Sequence, residues 1–222
     1  MQNWIFDLRS RSFVLLVTAF VIVSLLVYFE ITVEFDQSAI LYFDSISGNT
    51  VLDLFMQSIT EIGGVIWSLI FAIVLLLIKR TRRIGITMMI LLVVSTILVG
   101  YIKCGVDRDR PDIEFSGYPF PIPIETDAFA LFCEGGFNAS FPSGHTVRAV
   151  IFGIILGYAL SDRFPRGCFL LLLYPLLMAF SRVYILQHYP MDVIGGAILG
   201  IFLAGVLAQK TKLYKILEKS KT

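Results

Sequence analysis

Phe141-Pro-Ser-Gly-His145 runs directly into Thr146-Val-Arg-Ala-Val-Ile151. A small polar turn, carrying one of the chain's two histidines, opens at once into an apolar helix. Ser143 stands where a helix N-cap belongs, and Gly144 lets the backbone approach a ligand closely. The first N–H groups of such a helix have no partner inside it. With the helix dipole they form an anion site from backbone alone. Taken alone, the stretch reads equally well as a capped helix start with an incidental histidine.

The composition around it is that of a membrane protein. Of the 222 residues, 57% are hydrophobic and only 16% charged, where a soluble domain has about a quarter charged. A net charge of +1 excludes a globally basic nucleic-acid binder, so no nucleic-acid partner is expected. No polar linker divides the chain, and residues 1–222 read as one membrane domain. Three cysteines are too few for a disulfide framework. Cys104 and Cys133 could bridge, free thiols being the plainer expectation, and Cys168 reads as an apolar residue at a span edge.

Apolar runs of about 20 residues suit a bilayer core. They place spans at about 12–29, 63–78, 84–102, 146–160, 168–186 and 190–208. The first could pass for a signal peptide, but Glu30-Ile-Thr-Val-Glu follows it instead of a small-residue cleavage site, and it reads as a retained span. Residues 34–62 are mixed, with apolar positions from Val51 to Ile59 spaced for a short interfacial helix. Pro175 falls inside the fifth span as an expected kink. Residues 111–141 form a long proline- and aromatic-rich loop. The fold expected is an all-α integral membrane protein, a six-transmembrane-helix bundle. Of the 18 basic residues, 13 fall on the side of the chain ends. The excess of basic residues on cytoplasmic loops then puts the ends in the cytoplasm. The polar clusters converge on the extracytoplasmic face of the cell membrane.

Those clusters are three. Besides Pro142-Ser-Gly-His145 there is Lys103-Cys-Gly-Val-Asp-Arg-Asp-Arg110-Pro111, and Ser181-Arg-Val-Tyr-Ile-Leu-Gln-His188-Tyr-Pro-Met-Asp192. Asp192, four residues or one helical turn after His188, can accept a proton from one imidazole nitrogen and leave the other as a lone pair. A carboxylate-backed imidazole is a nucleophile or a base. An interfacial histidine bonded to a neighbour is the bland alternative. Lys103, Arg110 and Arg182 supply three cations, and arginine forks suit phosphate oxygens; snorkelling to headgroups is their alternative. Asp107, Asp109 and Asp112 raise a metal site, but interleaved Arg108 and Arg110 favour mutual neutralisation. No metal and no cofactor are expected. Joint placement on one face favours a phosphate site, since phosphoryl transfer is catalysed mostly by positioning and charge stabilisation.

These motifs together, Lys103-x6-Arg110-Pro111, Pro142-Ser-Gly-His145 and Ser181-Arg182-x5-His188-x3-Asp192, resemble the three signatures of the type 2 phosphatidic acid phosphatase superfamily. The resemblance covers roughly residues 60–208. It implies a membrane-embedded lipid phosphatase working through a phosphohistidine. His188 would attack phosphorus, Asp192 would orient it and His145 would protonate the leaving oxygen. Lys103, Arg110, Ser143, Gly144 and Arg182 would hold the phosphoryl oxygens. Beside what the resemblance implies, Arg108 and Arg148 are candidate second-phosphate contacts, with pairing to an acidic loop residue or an interhelical hydrogen bond as the alternatives for Arg148. The implied partners are the bilayer and a phosphorylated lipid of the polyprenyl diphosphate, phosphatidate or phosphatidylglycerophosphate class. A lipid-to-acceptor phosphotransferase and a non-catalytic lipid transporter are the alternatives. Vanadate-dependent haloperoxidases share the motifs but are soluble and larger.

Overall fold

The structure is a computed structural model describing residues 10–116, 139–161 and 163–210. Most of the 111–141 loop and of the basic tail therefore lie outside the described residues. Among those described, the chain forms eight α-helices and one 3-10 segment, with no strand. The helices are α1 (Arg11–Tyr28), α2 (Val33–Ile46), α3 (Thr50–Ile62), α4 (Val65–Leu77), α5 (Arg82–Val106), α6 (Gly144–Leu160), α7 (Leu173–Tyr184) and α8 (Pro190–Lys210). The 3-10 segment, Gly167–Leu172, leads straight into α7.

α6 is the axis of the molecule. Val147, Ala149, Val150, Ile151, Phe152 and Ile155 are all buried, so the helix is covered on every side, as a helix apolar all round must be. α5, α7 and α8 surround it. Met88, Leu91 and Leu92 of α5 and Leu199 and Leu203 of α8 complete the main core. α1 is the opposite case: Val14, Leu15 and Leu25 are exposed, an apolar surface suited to lipid.

The contact between α6 and α8 depends on two glycines four residues apart. A Cβ on Gly196 would stand 2.7 Å from Ser143 O, and one on Gly200 would stand 2.9 Å from Val147 O. Small residues at this spacing let helices approach at backbone distance. The approach is closest at the N-terminus of α6, where Ser143 N donates to Asp192 O at 3.0 Å.

Among the described residues, three helical stretches are long and apolar enough to cross a membrane: α1, α5 and Gly167–Tyr184. α3 and α4, bent by 54° at Gly63–Gly64, make a fourth if they count as one broken span. α6 and α8 are shorter apolar helices. Most of these helices begin and end within a few residues of the expected spans. The short helix expected from Val51 to Ile59 is α3, and a second helix, α2, precedes it. Their acidic residues Asp36 and Asp53 are buried, 0% and 1% exposed, because each has a partner inside. Asp36 meets Arg108, and Asp53 accepts from Tyr184 OH at 2.7 Å. The fifth span also changes character before Pro175, at the passage from 3-10 to α-helix. Pro175 is the third residue of α7, within the first turn, where its missing N–H costs no helical bond.

Candidate active site

Four helix ends meet at one end of the bundle: the C-termini of α5 and α7 and the N-termini of α6 and α8. The three sequence clusters sit on these ends. α6 starts as its sequence predicts. Ser143 caps it, its Oγ accepting from Thr146 N at 3.5 Å and from Thr146 Oγ1 at 3.1 Å. The N–H groups of Gly144 and His145 remain outside the helical ladder. His145, second in the helix, is half-buried. Beneath this turn runs Arg148, whose Nε donates to Gly63 O at 3.2 Å. Its Nη1 lies 3.3 Å from where a Cβ on Gly144 would stand, so glycine there is what lets the guanidinium reach the nest.

α8 starts with a reciprocal cap. Pro190 occupies the first helical position, where proline is favoured. Asp192, third in the helix, reaches back so that Oδ2 accepts from Tyr189 N at 2.9 Å. The same oxygen is 3.4 Å from His188 Nδ1. His188 therefore stands in the loop before the helix, and the pair meets through this cap rather than across one helical turn. The loop is held by Arg182 O, which accepts from Gln187 N at 3.1 Å and His188 N at 3.2 Å.

His188 is 2% exposed. Burial, and then the positive charges of Arg182, Lys103 and Arg110, push its pKa well below the ordinary imidazole value. Burial thus favours the uncharged ring, and Nδ1 is the nitrogen that faces Asp192. Those three cations come from the last turn of α5, the segment after it and the last turn of α7. Lys103 Nζ donates to Ala139 O, Arg110 Nη1 donates to Gln187 Oε1 at 2.8 Å, and Arg182 is buried in the last turn of α7. His145 is within electrostatic reach of His188, Arg182, Arg148 and Lys103.

Arg108, expected as a second-phosphate contact, is held between two buried carboxylates. It bonds Asp192 Oδ1 at 2.9 Å and Asp36 Oδ2 at 2.7 Å. The Tyr189 ring lies 4.1 Å from its guanidinium carbon. Asp36, Tyr189 and Gln187 were not singled out in the sequence. The Tyr189-Pro190 step before an acidic third helical residue is a capping signal that could have found Tyr189. Nothing local points to Asp36. Cys104 is disulfide-bonded, against the expectation of a free thiol, while Cys168 is a buried free thiol; Cys133 lies outside the described residues. Among the described residues, no three His, Cys, Asp or Glu side chains converge in a metal-holding group.

One turn past Arg148, an apolar cavity of about 380 Å³ opens between α4, α6 and the 3-10 segment. Trp67, Phe71, Phe152, Gly153, Leu171 and Tyr174 are among the residues that line it.

Residues 84–214, more than half of the chain, match the PAP2 superfamily. The undecaprenyl-diphosphatase of Sulfolobus acidocaldarius is 31% identical over 137 residues, 61% of this chain and 59% of that protein. The chain thus spans about three fifths of that relative's length. Undecaprenyl-diphosphatase BcrC of Bacillus subtilis is 27% identical over 155 residues, 70% of this chain and 72% of its own. Among solved structures, a transmembrane PAP2-type phosphatidylglycerolphosphate phosphatase from Bacillus subtilis superimposes with a TM-score of 0.72 at 22% identity, covering 90% of this chain and 96% of that one. LpxE of Aquifex aeolicus gives 0.56 at 21% identity, covering 79% and 95%.

Proposed function

The chain belongs to the PAP2 superfamily, and from that membership and the site geometry we propose that it is a multi-pass membrane phosphatase that hydrolyses a lipid phosphomonoester or diphosphate through a phosphohistidine. The observation that carries this reading is a buried His188 whose Nδ1 stands 3.4 Å from Asp192 Oδ2, with Lys103, Arg110 and Arg182 at or just beyond the adjoining helix ends.

In this mechanism Nε2 of His188 attacks phosphorus and the bond to the lipid oxygen breaks. His145 gives its proton to that leaving oxygen. Asp192 holds the imidazole in the tautomer with Nδ1 protonated and stabilises the positive charge that develops on the ring. Water, losing a proton to His145, then attacks phosphorus. The phosphorus–nitrogen bond breaks, and His188 is restored as inorganic phosphate leaves. Lys103, Arg110, Arg182 and the N–H groups at Gly144 and His145 stabilise the charge on the phosphoryl oxygens. The hydroxyl of Ser143 caps the helix that presents those groups. No metal is required by these steps.

A polyprenyl diphosphate is the substrate we favour. Arg148, beneath the nest, supplies a second cation depth for a second phosphate. The apolar cavity beyond it suits a hydrocarbon chain, and two relatives carry the name undecaprenyl-diphosphatase. With α3–α4 as one broken span, and α6 and α8 as further spans, the bundle has six. The basic-residue asymmetry then puts the site on the extracytoplasmic face of the cytoplasmic membrane.

The test is phosphate release by purified protein across a panel of lipid mono- and diphosphates, with and without EDTA. Release in EDTA is expected, and its abolition in His188→Ala. Full activity of His188→Ala would refute the mechanism. A phosphorylated acceptor in place of free phosphate would make the protein a phosphotransferase on the same site.

A further inference from the structure

The carboxylate opposite His188 does not stand alone. Asp192 Oδ1 accepts from Arg108 Nη1, and Arg108 Nη2 reaches Asp36 Oδ2, at 2.9 and 2.7 Å. Asp36 is completely buried, yet it comes from α2, which precedes the family-matched residues 84–214. Every oxygen it has is engaged. Oδ2 also accepts from Thr32 Oγ1 at 3.0 Å, and Oδ1 accepts from Met191 N in the first turn of α8 at 3.1 Å. The Tyr189 ring covers one face of the guanidinium.

Two carboxylates around one guanidinium leave a net negative charge in a nearly dry site. Arg108 alone would neutralise Asp192 and weaken its hold on the imidazole. With Asp36 drawing on the same guanidinium, Asp192 keeps the negative potential that a positive phosphohistidine ring needs opposite it. A buried charge network is also a poor way to gain stability alone, since well-packed apolar residues usually serve as well.

We propose that Asp36 and Arg108 are positioning residues that set the charge of Asp192, and through it the reactivity of His188, so that the active site extends onto α2. This rests on His188 being the nucleophile. The charges facing His188 are Arg182 from α7, Lys103 and Arg110 from the end of α5, His145 from α6 and Asp192 from α8, with the Tyr189 phenol beside them. Asp36 and Arg108 stand behind Asp192 and modulate that set.

The test compares pH profiles of kcat/KM for the wild type, Asp36→Asn, Arg108→Gln, Arg108→Lys and the double variant Asp36→Asn/Arg108→Gln. Ionisation of the substrate is common to all and cancels in the differences. Removing an anion disfavours protonated His188, and removing a cation favours it. The acidic limb should therefore move to lower pH in Asp36→Asn and to higher pH in Arg108→Gln, by about half a unit to one unit. It should return towards the wild-type position in the double variant. Rates should fall about tenfold in Asp36→Asn and further in Arg108→Gln, with Arg108→Lys recovering part of the loss. Melting in detergent identifies any variant that fails to fold; the near-isosteric Asp36→Asn then carries the test. Wild-type rate and limb in folded Asp36→Asn would overturn the proposal. So would rate losses in all variants with no movement of the limb. If His188→Ala is inactive and Asp36→Asn behaves as wild type, only the relay fails; if His188→Ala is active, the nucleophile assignment fails first.

Discussion

Gly196→Ala tests whether the approach of α8 to α6 sets the geometry of the site. The added methyl would stand 2.7 Å from Ser143 O, a backbone atom on the N-cap of α6. Ordinary contact begins near 3.4 Å, so the two helices must part by about 0.7 Å at that point. The displacement falls on the bond from Ser143 N to Asp192 O, and so between the anion nest and the residue that holds His188. Overpacking of this kind costs about 1–3 kcal/mol of stability, which leaves a folded protein. Misplacement of reacting groups by about 1 Å costs roughly 100-fold in rate, so kcat should fall about 10- to 100-fold. The assay is phosphate release from a lipid diphosphate in detergent micelles, beside a thermal melt of the same sample. Gly105→Ala is the control, since its added methyl meets nothing within 4 Å. A Gly196→Ala protein that turns over at the wild-type rate would refute the idea that this contact registers the nest against His188.

Three further outcomes follow from other parts of the molecule. The chain has only two histidines, so imidazole 15N NMR with His145→Asn as the assignment control isolates His188. Its neutral form should persist as pH falls through the ordinary imidazole value of about 6.5, and half-protonation at or above that value would contradict the burial argument. Tyr184→Phe removes the donor to buried Asp53 and should cost about 1–3 kcal/mol in a denaturation series. It should leave kcat/KM within about threefold of wild type, under the roughly 0.7 kcal/mol to which that ratio corresponds. Arg148→Ala should lower kcat/KM for a lipid diphosphate about tenfold more than for the monophosphate; equal losses on both would remove the second-phosphate role.

How much of this was legible follows from which forces act locally. A helix start is local, so Ser143 as cap and the apolar run after it could be read directly. Long apolar runs are local as well, and the ends of α1 and α6 fall within a few residues of where the sequence places them. The conformation around His188 was less accessible. The spacing to Asp192 suggested one turn of helix, but Pro190 can start a helix and cannot sit inside one without cost. The pair therefore meets through a cap. The disulfide at Cys104 depends on what the fold brings together, which a chain with three cysteines does not announce. Residues 34–62 read as surface because acidic residues usually stay in water. Asp36 and Asp53 are buried because partners 72 and 131 residues away meet them.

The placement of Arg108 changes what a cation count at this site means. From sequence, Lys103, Arg108, Arg110, Arg148 and Arg182 are five positive charges in or beside three motifs, and each could be assigned to phosphate. In the folded protein, Arg108 is committed to carboxylates, one of them contributed by a helix outside the family-matched region. A substrate anion meets a field already partly balanced from below. That balance matters in both halves of the proposed reaction. Excess positive charge would hold inorganic phosphate after the phosphohistidine is hydrolysed, while too little would leave the attacking imidazole facing an unscreened anion. Asp36 and Asp192 offset one of the five cations. On the proposed reading, this balance lets the site attract a doubly charged headgroup and still release its product.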